Sequence, residues 1–127
     1  MSQQASFTLN TVVYDPAGAP NGRPLWVNRT GGILNSFSEV TQDYREAVGG
    51  LKLTTASVKL KVPVVATTDT SCTCAGNVLR LGQAEVIVKL APDSTLAERT
   101  DLYLRLKDLV NSSYFIGMIE NLNPAYA

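Results

Sequence analysis

The sequence predicts an α+β domain in which an antiparallel sheet comes first and helices come last. Up to Leu90, apolar and polar residues alternate in short runs separated by turn-forming residues, the pattern of half-buried strands. From Thr95 onward the apolar spacing changes to i, i+4, i+7 and i+8, the pattern of an amphipathic helix. Strands grouped ahead of helices favour helices laid over one face of the sheet, which leaves the other face open.

Composition narrows the classes. The chain has 127 residues, 45% hydrophobic and 17% charged, enough for one domain with its own core. Its 11 basic and 11 acidic residues cancel, which excludes a general polyanion binder but not a local basic face. It contains no histidine, so the commonest general base and the commonest zinc ligand are missing. No apolar run approaches the roughly 20 residues that span a bilayer. The opening MSQQASFTLN lacks the basic and apolar regions of a signal peptide, so the expectation is folding in a cytoplasm.

In chain order, Ser6 to Tyr14 reads as a first strand rich in Thr, Val and aromatic residues. Asp15 to Gly22 is dense in turn residues, and Pro24 to Thr30 reads as the second strand of an N-terminal hairpin. Ile33 to Val40 suits a third strand, and Gln42 to Val48 fits either a helical turn or a strand. Leu51-Lys52-Leu53-Thr54 and Val58-Lys59-Leu60-Lys61-Val62 flank Thr55-Ala56-Ser57 and predict a second hairpin. With Leu53 opposite Val58, one face carries Leu51, Leu53, Val58, Leu60 and Val62. The other carries Lys52, Thr54, Lys59 and Lys61. Like charges directly opposite one another destabilise a strand pair. Lysines gathered on one face therefore suit an anionic partner, although ordinary solubilising lysines explain them equally well.

Pro63 places the end of that strand at an edge, at a bulge or leaving the sheet. Ala66 to Asn77 is a polar loop, long for so small a domain. Val78 to Leu90 is another strand, whose apolar phase flips at Gly82, the mark of a β-bulge or kink. Thr95-Leu96-Ala97-Glu98 fits a capping box at the start of a helix. Leu102, Leu106, Leu109 and Val110 form its stripe, and Phe115, Met118, Ile119 and Leu122 form the stripe of a second helix ending before Asn123-Pro124. Tyr103, Leu104, Tyr114 and Ile116 lie off these stripes. A helix apolar beyond one stripe needs more partners than one sheet face provides, which points to a twofold homodimer burying more than about 2,000 Å².

No set of residues suggests catalysis: there is no phosphate loop, no nucleophile elbow and no acid pair at distinctive spacing. Glu85 reads as a surface carboxylate offsetting nearby lysines rather than as a base. Cys72 and Cys74 do not favour bridging each other, because so small a ring strains the disulfide. No other Cys or His completes a zinc site. They are free thiols in a monomer, and in a symmetric assembly they are candidates for inter-subunit disulfides.

The chain resembles the coat proteins of the levivirus group of single-stranded RNA bacteriophages. The resemblance rests on the ending Ile119-Glu120-Asn121-Leu122-Asn123-Pro124-Ala125-Tyr126. It rests also on Lys59-Leu60-Lys61-Val62-Pro63-Val64-Val65 followed by a long loop, Leu81 to Leu90 and Ser94-Thr95…Glu98-Arg99, and on Leu25-Trp26-Val27-Asn28 with Gly31-Gly32. It covers nearly the whole chain in element order, and no single motif is diagnostic.

The resemblance implies one coat-protein domain over residues 1–127: an N-terminal β-hairpin at about 6–30, a five-stranded antiparallel sheet at about 33–90 and two C-terminal α-helices at about 95–122. It implies an intertwined dimer with a continuous ten-stranded sheet, self-assembly into an icosahedral shell, and a place in the virion after assembly in the bacterial host cytoplasm. The inward sheet face would bind genomic RNA, including a stem-loop whose capture represses replicase translation. Carried over by position, Lys52, Thr54, Lys59, Lys61, Gln83 and Glu85 are the RNA-binding candidates. Gln83 stands where the family often has a tyrosine, so binding is expected to be dominated by phosphate contacts. The loop Thr67 to Asn77 corresponds to the one gathered around symmetry axes, with Cys72 and Cys74 closer together than in a well-known member. No cofactor, metal or membrane is implied. The alternative is a small dimeric RNA-binding or repressor domain that never forms shells.

Overall fold

The computed structural model describes residues 3–30, 32, 36–46, 53–66 and 77–123. The chain divides into two compact units, Met1–Lys89 and Leu90–Ala127. Among the described residues the first unit is an antiparallel sheet of six strands in sequence order. These are β1 (Phe7–Leu9), β2 (Val12–Pro16), β3 (Leu25–Asn28), β4 (Ser38–Arg45), β5 (Thr54–Val65) and β6 (Val78–Leu90). The second unit holds α1 (Leu96–Val110) and α2 (Ser113–Glu120). This is the predicted α+β order of antiparallel sheet and then two helices; where a hairpin and a five-stranded sheet over about 33–90 were expected, the described strands form one sheet of six that takes in the hairpin.

The strand read from Ser6 to Tyr14 is two strands. The chain folds back at Asn10 and Thr11, with φ of 47° and 66°, and Leu9 pairs with Val12. A two-residue hairpin needs both central residues left-handed so that its twist matches the strands. Asparagine tolerates that region; threonine, branched at Cβ, does so at a cost. After β2 a single 3₁₀ turn at Pro20–Gly22 leads into β3, completing the N-terminal hairpin through Asp15↔Val27 and Pro16↔Trp26.

The predicted hairpin at Thr55-Ala56-Ser57 does not form. β5 runs unbroken from Thr54 to Val65 and pairs with β4 from Arg45↔Thr55 to Glu39↔Lys61. The reason is local: Thr-Ala-Ser offers no residue suited to φ > 0, whereas threonine favours strands. Gln42 to Arg45, ambiguous in sequence, continues β4. Pro63 lies beyond the paired stretch of β4, so its missing N–H costs that ladder nothing.

Alternation gives the sheet two unlike faces. One carries Phe7, Tyr14, Trp26, Val40 and Leu60, the last three in one cross-strand row. Phe7 stacks on Tyr14 at 5.8 Å and meets Trp26 edge-on at 5.4 Å, both favoured geometries. Tyr14 and Val40 are 4% and 5% exposed, and the buried Ser38 Oγ donates to Tyr14 Oη at 3.0 Å. The indole Nε1 of Trp26 donates to Ala5 O at 3.0 Å, tying the N-terminal segment to β3. Farther along this face, Val58, Val62 and Val64 remain exposed.

In the helical unit the predicted capping box is present. Glu98 N–H donates to Thr95 Oγ1, and Thr95 N–H donates to Glu98 Oε2, each at 3.3 Å. Ser112 caps α2 through Phe115 N–H at 3.3 Å. No residue of either helix is buried, and Leu109, Ile119 and Leu122 of the predicted stripes are exposed.

Candidate nucleic-acid interface

The second face of the sheet is polar along β4 and β5, while on β3 it carries Leu25 and the buried Val27. Along β5 it carries Thr55, Ser57, Lys59 and Lys61. The β4 residues paired with them are Arg45, Asp43, Thr41 and Glu39. Lys59 and Lys61 are both exposed. Neither faces another lysine: Lys59 lies opposite Thr41 and Lys61 opposite Glu39. Among the described residues neither forms an ion pair. Two exposed ammonium groups on alternate residues of one strand stand about 7 Å apart along it. That is one cation for each of two neighbouring phosphates on an extended nucleic-acid backbone.

The basic residues closer to the N-terminal loop are engaged differently. Asp43 forms an ion pair with Arg45, Oδ2 to Nη2 at 3.4 Å, and its Oδ1 lies 3.8 Å from Arg23 Nε. Arg23 reaches this position because Gln42 N–H donates to Pro24 O at 3.0 Å, extending the β3–β4 pairing by one step. Exposed pairs of this kind add little stability. Their effect is to hold two guanidinium groups beside one carboxylate on the polar face. Glu39, Asp43 and Glu85 keep that face close to neutral, in accord with a formal net charge of zero.

Lys59 and Lys61 thus share a face, as the sequence suggested. Thr54 does not join them. In a continuous β5 it alternates with Thr55 and falls on the side of Ala56, Val58 and Leu60. The expectation that placed it with the lysines depended on the hairpin that does not form. Lys52, Cys72 and Cys74 lie outside the described residues.

Gln83 and Glu85 are exposed on β6, two residues apart and so on one side of it. At the loop end Ala66 N–H donates to Asn77 O at 2.9 Å, which sets the β5–β6 register there. Continued without interruption, that register would carry Ile87 to the side of Ala56. Yet Ile87 lines one shallow hollow with Thr55, Ser57, Asp43 and Arg45, all of the polar face. One extra residue on β6 between Asn77 and Ile87 reconciles the two observations, and Gly82, where the apolar phase flips, is its natural place. A Cβ built on Gly82 would sit 3.5 Å from Val62 O, an ordinary contact, so the position is close to β5 without being crowded. A bulge there would put Gln83 and Glu85 on the side of Ile87, that of Lys59 and Lys61.

Thr41, Asp43, Arg45, Thr55 and Ser57 belong to this face and were missed in the sequence. The alternation Glu39-Val40-Thr41-Gln42-Asp43 carried the signal, but strand and helical turn could not be separated there without the β5 partner.

A long strand at the sheet margin and many large apolar side chains left exposed on each unit suit a protein that is completed by copies of itself. The sequence profile of the levivirus coat proteins matches residues 2–126. The chain belongs to the levivirus coat protein family, and it is therefore a structural capsid protein rather than an enzyme. Its fold is shared with solved structures of low sequence identity. The virus-like particle of Beihai levi-like virus 21 is 17% identical, with TM-score 0.85 over 99% of this chain and 100% of that one. The capsid protein of bacteriophage GA is 20% identical, with TM-score 0.76 over 96% and 97%. An unassembled bacteriophage coat protein dimer, described as an RNA-binding dimer, is 20% identical with TM-score 0.68 over 96% and 97%. No curated protein sequence matches the chain.

Proposed function

We propose that this coat protein dimerises, assembles into a closed icosahedral shell, and binds its single-stranded RNA genome on the polar face of the sheet, turned inward. Both units act together as one coat-protein domain. The observation that carries the reading is the pair Lys59 and Lys61, exposed and free of ion pairs among the described residues, on the side of β5 opposite to Val58, Val62 and Val64. Phosphates would supply the close ionic contacts that neither lysine makes among the described residues. Gln83, Glu85, Thr41 and Ser57 border the lysines and offer hydrogen bonds to base edges or ribose hydroxyls of unpaired nucleotides.

Dimer formation follows from the edges. β6 is 13 residues long and lies at one margin of the sheet. A long exposed edge of this kind invites pairing, and a twofold axis beside β6 satisfies it with a second β6, giving one continuous layer across a C2 interface, of twelve strands with both six-stranded sheets counted where the resemblance implied ten. Association of copies would also give the exposed apolar residues of each unit, Val58, Val62 and Val64 on β5 and Leu109 and Ile119 on the helices, a surface to bury against. Capture of an RNA hairpin on the polar face would also repress translation of the replicase message. Cys72 and Cys74 are candidates for disulfides between neighbouring copies around the symmetry axes.

The test is direct. The purified protein is examined by electron microscopy, and its affinity for RNA hairpins is measured by gel shift against duplex DNA of equal length. Closed shells and hairpin-selective binding support the proposal. A dimer that binds RNA without ever forming shells supports the repressor alternative, and a monomer indifferent to RNA removes both.

A further inference from the structure

Asn21-Gly22 lies in the turn between β2 and β3, and both residues are exposed. Asparagine followed by glycine is the pair in which a backbone amide most readily attacks the preceding side chain, because no Cβ shields the attacking nitrogen. Geometry opposes the attack while the turn is intact. Asn21 is left-handed, with φ 56° and ψ 29°. At that ψ the Gly22 nitrogen is turned to the side of Cα opposite Cβ, whereas ring closure needs it on the Cβ side. The same N–H is held by Ala19 O at 3.1 Å, which disfavours the deprotonated amide that acts as nucleophile. The turn is pinned further by Arg23 N–H to Pro20 O at 3.1 Å, Ala17 N–H to Leu25 O at 2.8 Å and Leu25 N–H to Gly18 O at 3.0 Å.

We infer that Asn21 is a deamidation site whose pace is set by opening of the β2–β3 turn. The Gly22 nitrogen bonds to Asn21 Cγ, the Cγ–Nδ2 bond breaks, and the Gly22 amide proton leaves with Nδ2 as ammonia. Water then opens the cyclic imide at either carbonyl, giving aspartate or isoaspartate. Oxidation states do not change. The product carries one additional negative charge, placed two residues from Arg23, whose guanidinium lies 3.8 Å from Asp43. A chain of formal net charge zero thereby becomes an acidic variant that records the time spent with the turn open.

The experiment holds the purified protein at mildly alkaline pH, with and without urea. Isoelectric focusing follows the charge, and peptide mass mapping locates it. Asn21→Gly is the control, because glycine accepts the left-handed turn and removes the amide. The expected result is an acidic species that grows slowly in the folded protein and several-fold faster in urea, maps to Asn21, and is absent from Asn21→Gly. Equal rates in folded and unfolded protein, an Asn21 amide that persists in urea, or an acidic species that survives unchanged in Asn21→Gly each overturns the inference.

Discussion

Replacing Lys59 and Lys61 together by alanine tests the phosphate-binding role of the polar face quantitatively. Both side chains are exposed and have no ion-pair partner among the described residues, so their removal strands no buried charge. Exposed substitutions of this kind shift folding stability by within about 0.5 kcal/mol. If each lysine neutralises one phosphate of a single-stranded segment, the logarithmic salt slope of RNA binding becomes shallower by about 0.7 per lysine, or about 1.4 for the pair. Between 50 and 200 mM salt, the parent protein should then lose about sevenfold more affinity than the double variant. The assay is RNA hairpin binding across a salt series, with thermal melting and particle formation recorded in parallel. An unchanged slope with weaker binding would mean that the lysines act through something other than phosphates. Failed assembly or a collapsed melting temperature would make them structural.

Three further outcomes are expected. Tyr14→Phe leaves the buried Ser38 hydroxyl without its acceptor and should cost about 1–3 kcal/mol in chemical denaturation; adding Ser38→Ala should recover much of the loss. Gly82→Ala should be neutral, or stabilising by up to about 1 kcal/mol, because the added Cβ meets only Val62 O at ordinary contact distance; a loss of several kcal/mol would contradict the β6 geometry. Oxidised particles should withstand heating better than reduced ones, and identical melting in both states would remove the inter-subunit disulfides of Cys72 and Cys74.

The order of elements was legible because each half of the chain keeps one period: two up to Leu90, then that of a helix. The capping box was legible because Thr95 and Glu98 need only each other. The turn at Asn10-Thr11 was hidden because threonine is a poor left-handed residue and a good strand residue, so Ser6 to Tyr14 read as one strand. The opposite error fell at Thr55-Ala56-Ser57. The apolar phase changes from Leu51 and Leu53 to Val58 and Leu60, and a phase change resembles a turn. The chain crosses it as one strand because β4 pairs along the whole stretch. That difference decides the site. Lys59 and Lys61 share a face whichever way the turn is read, since they lie two apart. Thr54 moves to the other face once the strand is continuous. Partners contributed by β4, such as Asp43 and Arg45, needed the register, which no single run of residues contains.

The central claim is that the face bearing Lys59 and Lys61 lines the inside of an RNA-filled shell. Cryo-electron microscopy of particles purified from an expressing bacterium tests it most directly. The account predicts closed shells in which β5 and β6 face the interior and nucleic-acid density touches both lysines. Shells with that face turned to solvent, or density that avoids the two lysines, would contradict it.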